Sequence, residues 1–258
     1  MAEDKNREPS RVWFVGSGPG DPELITVKGM RLLKDAEVVI YAGSLVREKV
    51  LEWCEKGPEV HNSASMDLGA IVSLMIDASR KGKRVVRLHT GDPSLYGALR
   101  EQAEALEKAG VPYGIVPGVS SAFASAAALK RELTLPGVTQ TVIFTRLEGR
   151  TPVPEKERLG SLAAHGATIC IFLSVSMMDE VVRELQCGYP PDTPVAVVYR
   201  ASWEDELVVK GTLADIKEKV GEAGIKRQAM IIVGKAIGDD PVEQSRLYDP
   251  GFSHGFRK

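Results

Sequence analysis

The chain has 258 residues, 43% hydrophobic and 26% charged, with a formal net charge of -2. This is the composition of a soluble globular protein with apolar material for one large core or two modest ones. Nothing in it argues for nucleic acid or a membrane as partner: there is no basic excess, and no run approaches the roughly 18 apolar residues of a membrane helix. The leader MAEDKNREPSR lacks the apolar core of a signal peptide. Cys54, Cys170 and Cys187 are odd in number and form no C-x-x-C pair, so a cytoplasmic chain with reduced thiols is expected.

In chain order, RVWFV (11–15), EVVIY (37–41) and RVVRL (84–88) are short, apolar and β-branched, as buried parallel strands are. Helical segments alternate with them. PELITVKGMRLLKDA repeats Leu24, Val27, Met30 and Leu33 every three residues, with Asp21 placed as N-cap. DLGAIVSLMIDASRKG follows, then GALREQAEALEKAG, closed by Gly110. YGIVPG (113–118) reads as one more strand, and SSAFASAAALK as a small-residue helix of the core. RELTLPGV (131–138) breaks the alternation and is the candidate linker. Beyond it TVIFTR, TICIFL, PVAVVYR, ELVVKG and AMIIVG are strands separated by fewer helices, with a hairpin turn at Ser202–Asp205. The pattern predicts an α/β protein of two domains: 11–130 with a mostly parallel sheet, and 138–238 with a mixed sheet.

Loops at the ends of the early strands carry the candidate chemistry. In WFVGSGPGDP (13–22), Gly16 and Gly18 fit a dinucleotide fingerprint, but the third glycine falls one residue early, at Gly20. Asp21 stands where that glycine belongs and would repel a pyrophosphate. The second strand ends Tyr41-Ala42-Gly43 with no carboxylate for a ribose, and Glu37 lies at its wrong end. A ligand without phosphates fits better, a structural turn being the plainer alternative. HTGDPSLYG (89–97) then places a second Gly-Asp-Pro loop at the carboxyl end of a strand, where open parallel sheets bind ligands. PGVSS (117–121) adds hydroxyls and backbone groups to the same rim.

GSGPGDPELITVKGMRLLKDAEVVIYA, GDPSLYG and VPGVSSA, in that order, resemble the tetrapyrrole (corrin/porphyrin) methylases that use S-adenosylmethionine. The resemblance spans about 11–240. Within the family, AGSLV (42–46), TRLEGRTPVPE (145–155) and the terminal RLYDPGFSHGFRK are similar to the subgroup that methylates C11 of precorrin-4, or its cobalt form, in cobalamin biosynthesis. The resemblance implies two α/β domains with the cofactor in the cleft between them, a small-molecule tetrapyrrole partner, and a homodimer. It places cofactor contacts on Pro19, Thr90, Gly91, Asp92, Leu95, Ser120 and Ser121, and, through weaker motifs, on Leu173, Ala201 and Ala229. Ala42 stands where the related uroporphyrinogen methylases carry an aspartate proposed as proton acceptor, so that base is not carried over.

Methyl transfer from a sulfonium needs alignment and exclusion of water, with no metal and no covalent intermediate. The sequence has neither H-E-x-x-H nor G-x-S-x-G. A corrinoid precursor bears acetates and propionates, which arginine forks suit. Arg146, Glu148 and Arg150 are therefore candidate substrate contacts, against a reading as a solvated loop. His89 is a candidate for moving a proton, or a structural hydrogen-bonding group. Tyr96 either lines the substrate trough or packs. Asp92, a carboxylate expected to be buried in its loop, needs a charged or hydrogen-bonded partner, for which the cofactor's ribose and amino groups are candidates; the plainer reading is a helix N-cap or turn residue. The alternatives are a methylase acting at another ring carbon, on RNA or on a protein, a dinucleotide oxidoreductase, and a non-catalytic tetrapyrrole binder.

Overall fold

A computed structural model describes residues 10–239 and Ser253. Its contacts divide the chain into two compact units, between Ala124 and Ser125. The terminal motif RLYDPGFSHGFRK lies, but for Ser253, outside the described residues.

The first unit is built on five parallel strands: β1 (Val12–Gly16), β2 (Val38–Tyr41), β3 (Glu59–Asn62), β4 (Val85–His89) and β5 (Tyr113–Val116), in the order β3-β2-β4-β1-β5. The helices α1 (Val27–Asp35), α2 (Leu68–Arg80) and α3 (Leu99–Lys108) alternate with them, and α4 (Ser121–Leu129), which follows β5, carries the division between the units. Side chains on a strand alternate between faces, and the core obeys this. Val12 and Phe14 join Ile71, Met75 and Leu106 of α2 and α3, while Val15 packs with Leu33 of α1 and with Val39 and Leu88. Phe14, Leu33 and Leu106 are fully buried, each worth about 1.5–3 kcal/mol of transfer free energy.

Local details depart from the sequence pattern. Asp21 does cap, accepting from Glu23 N, but the element it starts is a single 3-10 turn, Pro22–Leu24. The α-helix begins at Val27, capped by the Thr26 hydroxyl, so Val27 points to solvent instead of continuing the apolar row. β3 was not predicted. It is a polar edge strand, EVHN, whose ladder bonds form with β2 without an apolar pattern.

The second unit carries β6 (Val142–Arg146), β7 (Thr168–Phe172), β8 (Pro194–Tyr199), β9 (Leu207–Thr212) and β10 (Ala229–Val233), in the order β6-β7-β10-β8-β9. β6 and β7 are parallel and the other pairs antiparallel. This is the mixed sheet expected, with the β8–β9 hairpin where the polar turn predicted it. Three short helices, α5 (Leu159–Ala163), α6 (Met178–Leu185) and α7 (Ile216–Glu222), pack Leu159, Val181, Leu185 and Ile216 against Ile169, Ile171, Val195 and Ile231. The candidate linker 131–138 is folded into this unit. Leu133 is buried, its carbonyl accepts from Thr168 Oγ1 at 2.8 Å, and Leu135 bridges Thr139.

Candidate functional site

At the carboxyl edge of the first sheet, three loops leave the adjacent strands β4, β1 and β5. They are tied to one another by backbone. Gly18 and Gly91 pair as an isolated bridge, with Gly91 N donating to Gly18 O at 2.8 Å. Ser17 N donates to His89 O at 2.8 Å, and the Ser17 hydroxyl meets the same carbonyl at 2.9 Å. The three loops touch at glycines. A Cβ on Gly118 would stand 2.1 Å from Gly91 O and 2.8 Å from Gly16 Cα, so only hydrogen fits.

Asp92 joins the second loop to the third. Its Oδ2 accepts from Gly118 N at 2.9 Å and its Oδ1 from Ser94 N at 2.8 Å. Desolvation pushes its pKa up, but these two bonds outweigh it and leave the carboxyl below the ordinary range. Asp92 therefore has the partners it needs from the protein itself, as its reading as a turn residue has it. It is half-buried, and the protein supplies partners to both oxygens, with lone pairs left on each. Of its neighbours, Pro19, Gly91 and Ser120 are buried, Leu95 and Ser121 half-buried, and Thr90 exposed.

His89 and Tyr96 part company. His89 is 94% buried by its 6% exposure, edge-on to Phe14 with ring centroids 5.7 Å apart. Its Nε2 has no partner among the described residues. Burial above all, with the Arg87 charge adding to it, pushes its pKa down to about 4, so it is neutral at pH 7. Tyr96 instead stands exposed on a left-handed residue, φ 54°.

Beneath the rim lies a polar chain that the sequence reading missed. Arg87, buried on β4, donates to Ser63 Oγ at 2.9 Å and to Gln102 Oε1 at 3.3 Å. Ser63 donates on to Tyr41 O, and Gln102 Nε2 to Ala98 O, both at 3.1 Å. The chain thus ties the ends of β2 and β3 to the loop bearing Tyr96. Its members are far apart in sequence, so spacing alone gave no signal.

In the second unit the candidate residues gather at one edge of the sheet. Leu173 follows β7, Ala201 follows β8 and Ala229 opens β10, whose antiparallel pairing brings these three strand ends together. Arg200 N donates to Gln228 O at 2.9 Å, linking the residues before Ala201 and Ala229. The Arg200 guanidinium lies over the Tyr199 and Trp203 rings, 5.0 and 4.8 Å from their centroids, and pairs with Asp205. Leu173 is 62% exposed. Arg146, at the end of β6, is half-buried, and its guanidinium donates to carbonyls of its own loop. Glu148 and Arg150 are exposed.

Among the described residues, seven non-glycines have positive φ: Tyr96, Ala98, Lys130, Leu173, Arg200, Ser202 and Gln228. All but Lys130 lie in these two loop edges. Left-handed backbone costs a non-glycine about 1 kcal/mol or more and collects where a site is built.

The rim also has a charge character. Residues 16–21, 89–97 and 117–121 include Asp21 and Asp92 and no lysine or arginine. Such loops, with glycine backbones open to close approach, suit a ligand bearing positive charge and no phosphate. S-adenosylmethionine, a sulfonium on an adenosine, fits that description.

Comparison with known proteins agrees. The family model for tetrapyrrole (corrin/porphyrin) methylases matches residues 11–217. A cobalt-precorrin-4 C(11)-methyltransferase of Methanocaldococcus jannaschii is 57% identical, over 99% of this chain and 98% of its own. A solved cobalt precorrin-4 methyltransferase of cobalamin biosynthesis superposes with a TM-score of 0.86 at 50% identity, covering 90% of this chain and 96% of that one. A uroporphyrin-III C-methyltransferase of Thermus thermophilus, solved with S-adenosylhomocysteine, gives 0.75 at 32%, covering 88% and 99%. Fold and rim together define a methylase of the two-sheet α/β kind. The chain belongs to the tetrapyrrole (corrin/porphyrin) methylase family.

Proposed function

We propose that the protein transfers the methyl group of S-adenosylmethionine to C11 of precorrin-4, as the cobalt complex or metal-free, in cobalamin biosynthesis. The observation that carries the reading is the acidic, lysine-free rim of three interlocked loops, in a chain 57% identical to a relative of that name. When bound, the cofactor supplies an electrophilic methyl on a sulfonium. The chain's part is to hold the reactants in line and exclude water.

Pro19, Thr90, Gly91, Asp92, Leu95, Ser120 and Ser121 are assigned to the cofactor from the first unit, and Leu173, Ala201 and Ala229 from the second. Asp92 acts in two ways: it fixes the second loop against the third, and its remaining lone pairs accept from the cofactor. Arg150, with Glu148 beside it, is assigned to the macrocycle's carboxylates and polar groups. Tyr96 is assigned to the wall of the substrate trough. Neutral His89, below the loop surface, holds the shape of residues 89–97. The macrocycle's ring proton leaves without a side chain assigned to take it. The reading includes a cytoplasmic location and a homodimer, the latter of which light scattering checks.

Calorimetric titration with S-adenosylhomocysteine tests the reading. Micromolar binding is expected, about -8 kcal/mol, with NAD giving none. Asp92→Ala should weaken it at least about tenfold. Methyl transfer to precorrin-4 and to its cobalt complex then identifies the substrate. Absence of binding by the folded wild type would remove the methyltransferase reading.

A further inference from the structure

Residues 147–152, LEGRTP, have neither helix nor strand; Leu147 is buried in the core and 148–152 are exposed, yet these are not left to solvent. The Arg146 guanidinium, at the end of β6, spends its donors on this segment. Nη1 donates to Leu147 O at 3.3 Å and Thr151 O at 3.1 Å, and Nη2 to Pro152 O at 2.9 Å. One planar fork thereby closes the loop on itself, a geometry that a lysine's single ammonium does not reproduce. The base of the loop is fastened elsewhere. Leu147 N donates to Ser174 Oγ at 2.9 Å, and that buried hydroxyl donates to Phe172 O at 2.7 Å. Between Phe172 and Ser174 stands Leu173, left-handed at φ 56° and 62% exposed.

We infer that Arg146 and Ser174 form a brace that makes the 147–152 loop and the Leu173 turn one rigid piece, so that Arg146 positions Arg150 for the macrocycle and does not itself meet substrate. The inference rests on the methyltransferase reading for the roles of Arg150 and Leu173. The brace itself rests on the hydrogen bonds alone. Among the described residues, Arg150 has no hydrogen bond or ion pair in the structure, so its charge is available to a ligand. Ser174 belongs to both ends: its hydroxyl orders the loop as acceptor and the turn as donor. Loss of Arg146 should loosen the loop alone, whereas loss of the Ser174 hydroxyl should disturb loop and turn together.

The test uses the full-length protein and three readouts: cleavage after Glu148 by a glutamyl endopeptidase, KM and kcat for precorrin-4 substrate, and calorimetric affinity for S-adenosylhomocysteine. Arg146→Met and Arg146→Lys should each be cut at Glu148 about tenfold faster than wild type, with KM raised about tenfold, kcat little changed and cofactor affinity unchanged. The lysine should not rescue, because the fork and not the charge is needed. Ser174→Ala should raise the cleavage rate and also weaken S-adenosylhomocysteine several-fold. Arg150→Gln should raise KM without changing cleavage at Glu148. Unchanged cleavage in both Arg146 variants would overturn the brace, and a raised KM rescued by lysine would make Arg146 a direct contact instead. Faster cleavage with unchanged KM would overturn its positioning role. Failure of wild type to bind S-adenosylhomocysteine would instead sink the parent reading, and the cleavage rates would still judge the brace.

Discussion

A neutral histidine packed under an acidic rim has a consequence for stability. His89 has a pKa of about 4 in the folded protein against 6.5 unfolded, so between those values the unfolded chain binds the extra proton. Its contribution is complete above pH 6.5 and is lost as pH falls toward 4, by an amount of up to about 3 kcal/mol. Measured by urea titration from pH 7 to 4.5, the unfolding free energy of wild type should fall relative to that of His89→Phe. Parallel curves would mean that the ring titrates alike in the folded and unfolded chains. Gly118→Ala should cost about 1–3 kcal/mol, because its new Cβ meets the Gly91 and Gly16 backbone. The same variant should lose S-adenosylhomocysteine binding, read by calorimetry. Leu173→Gly should act in two directions at once. Relieving the left-handed leucine should raise stability by roughly 1 kcal/mol, while loss of its exposed side chain should weaken the cofactor, a split that Tm and calorimetry together resolve.

At the scale of elements, what was legible in the sequence followed from local chemistry. VWFV of β1 and the valines of β4 are apolar and largely β-branched because both faces of these strands are covered, and that composition announced them. EVHN announced nothing, because an edge strand needs only backbone partners. The helix predicted from Pro22 begins five residues later because Ile25 and Thr26 are extended, at ψ 148° and 149°, and the Thr26 hydroxyl caps the new start, accepting from Gly29 N at 3.1 Å. The site divided in the same way. The glycine, proline and aspartate of the three loops mark turns whatever surrounds them. The left-handed Leu173, Arg200 and Gln228 carried no mark, since these residues avoid that conformation unless tertiary structure imposes it. The Arg87–Ser63–Gln102 chain was equally silent. Arg87→Met should leave the loop bearing Tyr96 less protected in hydrogen exchange, with Ala98 and Gly97 carbonyls losing the ordering of Gln102.

For the whole molecule, the rim assignment predicts ligand-linked stability. S-adenosylhomocysteine at 100 times its Kd should stabilise the protein by about 2.7 kcal/mol, a shift that differential scanning calorimetry reads and that Asp92→Ala, binding about tenfold more weakly or worse, should cut to about 1.4 kcal/mol or less at the same concentration. The strand order in the first unit carries another consequence, for how the chain is made. Among the described strands β1 is the first to leave the ribosome, yet its hydrogen-bonding neighbours on either side are β4 and β5. Val12 therefore waits for Val85 and then for Tyr113 before both its edges are closed. A nascent chain halted before residue 113 presents a bare apolar strand to any other chain nearby, a template for misassembly. The second unit has no such delay at its hairpin, where β9 pairs with the strand synthesised just before it. Synthesis of this enzyme should accordingly depend most on chaperone protection over its first hundred or so residues, with the demand ending once the strand that leads to the PGVSS loop has emerged.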